Sequence, residues 1–261
     1  MHLRCHFSDL NEVSVTRYLQ FAQITMLAVT GCARADSTVI VNGHQVTVTG
    51  NNSYVEVNGT VYRDTGGVTE EAKGPIAMET RSLDKFTAVS LNIPANVTYR
   101  IEPTPRVTVT AQADILAKIR TAVEGKVLVI GVSGPIVTSK PIQLDIEGPN
   151  LTGIGVTGAG QFSASRLRGK AVTFDVSGAG HIMADGVVER ADVDVSGAGQ
   201  VDLTDLRTKE IRIDASGAGR VQAHATEIAD VNVSGAADVR VAGNPARRHV
   251  DRTGAASVKF E

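Results

Sequence analysis

Through the C-terminal half of the chain apolar and polar residues alternate with a period of two, and the alternating block itself recurs. It reads VTGAGQFSAS from Val156, VSGAGHIMAD from Val176, VSGAGQVDLT from Val195 and ASGAGRVQAH from Ala215. Looser copies follow, VSGAADVRVA from Val233 and RTGAASVKFE from Arg252. Counted between the hydroxyl residues Thr157, Ser177, Ser196, Ser216, Ser234 and Thr253, the steps are 20, 19, 20, 18 and 19 residues. Self-similarity at a nearly fixed period predicts stacked units.

Four apolar columns appear when the copies are aligned. Val156, Val176, Val195, Ala215 and Val233 precede the hydroxyl residue, with Arg252 the exception; Ile154, Phe174, Val193, Ile213, Val231 and Val250 stand two residues earlier. After the glycines come Phe162, Ile182, Val201, Val221, Val239 and Val258, then Ala164, Ala184, Leu203, Ala223, Val241 and Phe260. Alternation of this kind marks a strand with one face buried. Each repeat therefore predicts strand, S-G-A-G turn, strand and a polar return loop. Gly178, Gly197 and Gly217 supply positive φ at the turn, and the column Ala159, Ala179, Ala198, Ala218, Ala236 and Ala255 is expected to stack on itself there. One unit cannot bury its apolar face alone, whereas coils stacked about 4.8 Å apart share a core. The fold class is all-β, a parallel right-handed β-helix with coils of 18–20 residues.

Upstream, Phe86–Ile93, Val97–Ile101, Val107–Ala111, Val127–Val132 and Ile142–Ile146 read as strands. Asp114 reads as the cap of a short helix that presents Ile115, Leu116, Ile119, Ala122 and Val123 and closes at Gly125. Earlier still, Val39, Val41, Val46 and Val48 flank Asn42-Gly43, and Val55, Val57 and Val61 flank Asn58-Gly59, so two small hairpins are expected, followed by a flexible linker over 65–74. The domains predicted are 1–35 an export signal, 36–80 the hairpin segment with its linker, and 81–261 the solenoid.

The export reading rests on Arg17 before the apolar run Tyr18–Thr30, which is shorter than the roughly 20 residues a spanning helix needs. Two processing signals overlap. Val29-Thr30-Gly31-Cys32 has the form of a bacterial lipobox, making Cys32 the lipidation site and the membrane a partner through the anchor. Ala33-Arg34-Ala35 would instead release a soluble product from Asp36. Cys5 and Cys32 are the only cysteines, so the body beyond residue 35 has neither disulfides nor thiol chemistry. A net charge of −2 gives no electrostatic case for nucleic acid, and 4% aromatics with no Trp argue against a sugar-stacking cleft.

The order RSLDKFTAVSLNIPANVTYRIEP, then VTVTAQADILAKIRTAVEGKVLVIG, then the S-G-A-G turns resembles the head GIN domain, a family of auto-transporter adhesin heads, over about two thirds of the chain. The elements that carry the likeness are Phe86-Thr87-Ala88-Val89, Val107-Thr108-Val109, the run Glu124–Ile130, and the turns themselves. The resemblance implies a β-helical cell-envelope protein without established enzyme activity.

Candidate chemistry is sparse. The outward column Asp175, Asp194, Asp214, Asn232 and Asp251 predicts stacked carboxylates about 5 Å apart that repel or share a divalent cation, with Asp175, Asp194 and Asp214 the candidate ligands. A solvated polar face is the simpler expectation. Asp192 with Asp194, or Asp202 with Asp205, could form a glycosidase-like pair given a cleft and one raised pKa. Gly153-x-Gly155-x-x-Gly158 matches a dinucleotide fingerprint, but Ala159–Ala164 belong to the repeated strand and turn, and no helix is expected there to receive a pyrophosphate. His181 takes an outward repeat position, and Ser177, Ser196 and Ser216 recur too regularly for a unique nucleophile. The expectation is a non-enzymatic envelope module with no cofactor and a protein or glycan surface ligand. The alternatives are a β-helix carbohydrate-active enzyme and a cation-dependent assembly module.

Overall fold

The structure of the protein, a computed structural model, describes residues 72, 74–134 and 136–261 in full, and the backbone of six short strands before them. The chain forms two compact units, Met1–Val68 and Thr69–Glu261. In the first, β1 (Tyr18–Phe21) pairs antiparallel with β2 (Ile24–Leu27). Four further strands, β3 (Ser37–Val41), β4 (His44–Thr49), β5 (Tyr54–Val57) and β6 (Thr60–Arg63), make an antiparallel sheet in chain order. Pairing of β4 with β5 joins the two expected hairpins into one meander. The processing signals, Cys32 included, lie outside the described residues, as does most of the expected linker.

The second unit is a β-solenoid of about 5 turns. It opens with β7 (Ile76–Ser82), β8 (Ala88–Leu91), β9 (Ala95–Ile101), β10 (Arg106–Gln112) and the one-turn helix α1 (Ala113–Leu116). Then come β11 (Ile119–Glu124), β12 (Val127–Val132), β13 (Ile142–Gly148) and β14 (Gly153–Gly158). Four long strands follow, β15 (Gln161–Gly178), β16 (His181–Gly197), β17 (Gln200–Gly217) and β18 (Arg220–Gly235), and then β19 (Asp238–Ala242), β20 (Arg247–Gly254) and β21 (Ser257–Phe260). The sequence-based boundary at 80/81 falls inside β7, which is paired along its whole length with β10 of the same unit.

Parallel stacking begins before the repeats do, and not in chain order. β8 lies between β12 and β14, and β9 between β13 and β15. The β8–β9 coil is thus laid down first and then enclosed when the chain returns as β12 and β13. Antiparallel pairs close this end: β11 on β12, and β7 and β10 beyond β13. Ile115 and Leu116 of α1 are buried in the core, and the Arg81 guanidinium donates to the carbonyls of Leu116 (3.2 Å) and Ile119 (2.8 Å). Tyr99, fully buried, packs edge-on to Phe86 at 6.2 Å and stacks on Phe162 at 6.3 Å, and its hydroxyl donates to the Pro149 carbonyl.

Two expectations are corrected here. The helix predicted to run to Gly125 stops at Leu116, and Ile119–Glu124 is a strand of a hairpin. Glu124 pairs with Val127 around Gly125-Lys126, and Gly125 has φ of +64°, which suits glycine in the first place of a two-residue hairpin turn. The return after each of the first four repeats is likewise not a polar loop; only that of residues 243–246, between β19 and β20, lies outside a strand. The other four are strand, interrupted by register shifts such as that between Ala164 and Leu167, and they bury Leu167, Val172, Val188, Ala191, Leu206, Ile211, Ala225 and Ala229. The shifts break the period of two, which hid this second set of core residues.

The four predicted columns are buried in the first five copies, and the sixth is partly open, with Val250 37% exposed. At the turn each first glycine has positive φ, from +82° at Gly254 to +104° at Gly178. A Cβ on Gly197 would sit 2.7 Å from the carbonyl oxygen of Gly178, and one on Gly217 2.5 Å from that of Gly197. The Ala column lies on the outer side of the corner. Its side chains are exposed, while its amides continue the ladder, Ala198 to the Gly178 carbonyl at 2.8 Å and Ala218 to that of Gly197 at 2.8 Å. The buried small residue is the next one, Gly160, Gly180, Gly199, Gly219, Ala237 and Ala256. A Cβ on Gly180, Gly199 or Gly219 would meet Cγ1 of Val156, Val176 or Val195 at 2.6, 2.4 and 2.7 Å. Where the preceding coil carries Ala215 in place of valine, the following coil carries Ala237. The last coil departs from this exchange, with Ala256 following Val233.

Candidate functional site: a groove between two polar columns

In-register parallel pairing places each outward repeat position over its equivalents. Asp175, Asp194, Asp214, Asn232 and Asp251 therefore form one file. Two residues on, Thr157, Ser177, Ser196, Ser216, Ser234 and Thr253 form a second, exposed one. The two files line a groove of about 520 Å³ that runs along the stack from Gly155 to Thr253.

A third file, Thr173, Asp192, Arg212, Asp230 and His249, flanks the carboxylates and alternates in sign from Asp192 through Arg212 to Asp230. It neutralises some of its neighbours. The Arg212 Nε donates to Asp214 Oδ2 at 2.9 Å, while Asn232 Nδ2 donates to Asp214 Oδ1 at 2.9 Å. Arg190 holds Asp192 at 2.7 Å, and His249 lies 3.2 Å from Asp251. Among the described residues, neither Asp175 nor Asp194 has a side-chain ion pair of this kind. Burial, then the Asp194 charge, lifts the Asp175 carboxyl above the ordinary range. Asp194 is also raised, first by burial and then by Asp214, with Arg212 opposing and Asp192 adding the least.

This geometry separates the candidates. Asp175, Asp194 and Asp214 do share a file, yet both Asp214 oxygens are engaged by Arg212 and Asn232. Among the described residues no three His, Cys, Asp or Glu side chains converge as a metal-holding group. Asp192 is committed to Arg190, whereas Asp194 has both a groove and a raised carboxyl. Asp202 accepts from the Thr204 amide and hydroxyl at 3.1 and 2.7 Å, and with Asp205 it lines a separate hollow of about 120 Å³. Gly153, Gly155 and Gly158 lie in β14, which continues the solenoid. His181 stands in an outward file with Gln161, Gln200, Arg220 and Asp238. The alternating third file escaped the sequence reading, though stepping one period from Asp192 to Arg212 to Asp230 would have exposed its reversals of sign.

A parallel β-solenoid with a collective polar groove is the class of protein these features define. The chain belongs to the family described as "Putative auto-transporter adhesin, head GIN domain", which matches residues 85–245, more than half of its length. Among solved structures it is similar to a putative adhesin from Bacteroides fragilis, 16% identical, with 73% of this chain and 99% of that one covered and a TM-score of 0.60. A putative adhesin and a putative lipid binding protein, both from Parabacteroides distasonis, match at 16% identity with TM-scores of 0.48 and 0.46. Each covers 73% of this chain, with 99% and 98% of their own lengths matched. No curated protein matches the chain. The likeness to the Bacteroides fragilis structure, at 16% identity, establishes a shared fold.

Proposed function

We propose that this is an exported, non-enzymatic surface module that binds an extended protein or glycan ligand along the groove between the carboxylate and hydroxyl files. The observation that carries the reading is repetition. The groove offers the same Asp and Ser positions coil after coil, which fits a ligand with its own repeat and gives no single residue a unique role. Membership of an adhesin family supports a surface location. The sequence adds a route there, through the signal over 1–35 and lipidation of Cys32, or release from Asp36.

Binding of the full chain to cell-envelope glycan and protein arrays tests the reading. Asp194→Ala alone should weaken binding by a few fold, and the triple Asp175→Ala, Asp194→Ala, Asp214→Ala variant should abolish it. A second reading, hydrolysis of a glycan with Asp194 as the general acid, has the raised carboxyl in its favour. It requires Asp194→Asn alone to remove turnover of a glycan the protein binds, and that result would replace the first reading.

A further inference from the structure

The coil of residues 247–260 differs from those beneath it at the positions that face the core. Val172, Ala191, Ile211 and Ala229 are stacked in one buried file, and the next member is Arg248. Val176, Val195, Ala215 and Val233 form another, and the next member is Arg252. Between these two arginines lies Val250, 37% exposed, with Phe260 only partly buried. The coil thus carries apolar groups that another coil would cover.

Strand β20 pairs with β18, and β21 with β19; among the described residues no strand pairs the outer edge of either. An edge of this kind is a template for another chain, and inward-pointing charges are a way to blunt it. Arg248 is held in place to do so. Its guanidinium carbon lies 4.7 Å above the Phe260 ring, its Nε donates to the Pro245 carbonyl at 3.1 Å, and its Nη2 donates to Asn244 Oδ1. The stem covers apolar surface while the charge stays in water. Arg247 and Lys259 add further positive charge to the two edge strands.

We propose that Arg248 and Arg252 close the end of the core and prevent a second copy of this chain from adding its strands there. A second coil would have to desolvate both guanidinium groups in otherwise apolar files. Two copies meeting at this edge would also place their arginines against each other.

Light scattering of the full chain over a concentration series tests this. The parent should keep one mass, the Arg248→Leu, Arg252→Val variant should double its apparent mass as concentration rises, and Arg248→Lys, Arg252→Lys should behave as the parent does. Adding Val250→Lys to the leucine–valine variant should restore the parent mass, because it returns a charge to the core-facing side of the same strand. The proposal is overturned if the leucine–valine variant keeps the parent mass throughout, or if Val250→Lys leaves its association unchanged. Should that variant not fold, by circular dichroism, Arg252→Val alone is subject to the same two outcomes.

Discussion

The repeats from residue 153 onward and the cap from 72 to 152 share one sheet but obtain it differently. In the repeats a residue's neighbours are its own equivalents one period away, so a position is constrained by what stands at the same place in the next coil. In the cap, neighbours are distant in sequence and unlike: β8 is flanked by β12 and β14, and Arg81 reaches the carbonyls at the end of α1. An error of fit in the repeats therefore has a stacked cause, and an error in the cap a local one.

Two glycines put this contrast at its sharpest. Gly197 and Gly125 both have positive φ, +101° and +64°, but a Cβ on Gly197 would strike the Gly178 backbone while one on Gly125 meets nothing within 4 Å. Gly197→Ala should cost about 4 kcal/mol, strain and backbone clash together. Gly125→Ala should cost only about 1–2 kcal/mol, the intrinsic cost of the left-handed region. Urea denaturation of both variants checks the order, and equal losses would mean that the corner ladder yields freely.

The second glycine of the turn allows a rescue that the first does not. Gly199→Ala would collide first with the Val176 side chain, at 2.4 Å, so Val176→Ala should relieve it, as Ala215 and Ala237 already coexist two coils on. A double-mutant cycle should show a favourable coupling of about 1–2 kcal/mol. Additive losses would break the proposed exchange of side-chain volume between coils.

The smallest effect concerns charge. Asp194 is raised above its ordinary value of 3.8 in the folded protein, so its ionised form opposes folding. That penalty is present at neutral pH and disappears as pH falls through the raised value and then below 3.8. Asp194→Asn should therefore unfold at higher urea than the parent at neutral pH and match it in acid. A variant less stable than the parent at neutral pH would show that the carboxylate is held by interactions outweighing its burial.

Legibility in the sequence followed the same division. The period, the buried columns, the glycine corner and the carboxylate file could be read because register stacking converts a one-dimensional repeat into a spatial column. The return strands could not, since register shifts disrupt the alternation around Leu167 and Leu206. Nor could Ile119–Glu124, a run too short to distinguish helical from strand periodicity, although β-branched Ile119, Thr121 and Val123 favour a strand. The crossover that encloses β8–β9 leaves no local trace at all. Of the groove, the acidic residues were visible one by one. What their partners do, with Asp214 held by hydrogen bonds and Asp194 raised by burial, depended on which file lay beside them.

The corner ladder also has a mechanical consequence. Among the described residues, each coil from β16 to β18 is bonded to the coil before it and the coil after it, by links such as Ala198 N–H to the Gly178 carbonyl that lie along the stacking direction. Tension on the chain at residue 261 would load the last coil boundary first and then the next, rather than the whole sheet together. Each coil of 18–20 residues that peels away would release about 65 Å of chain. Under load the module would lengthen in even steps, so a sudden pull would be spread over a series of small extensions.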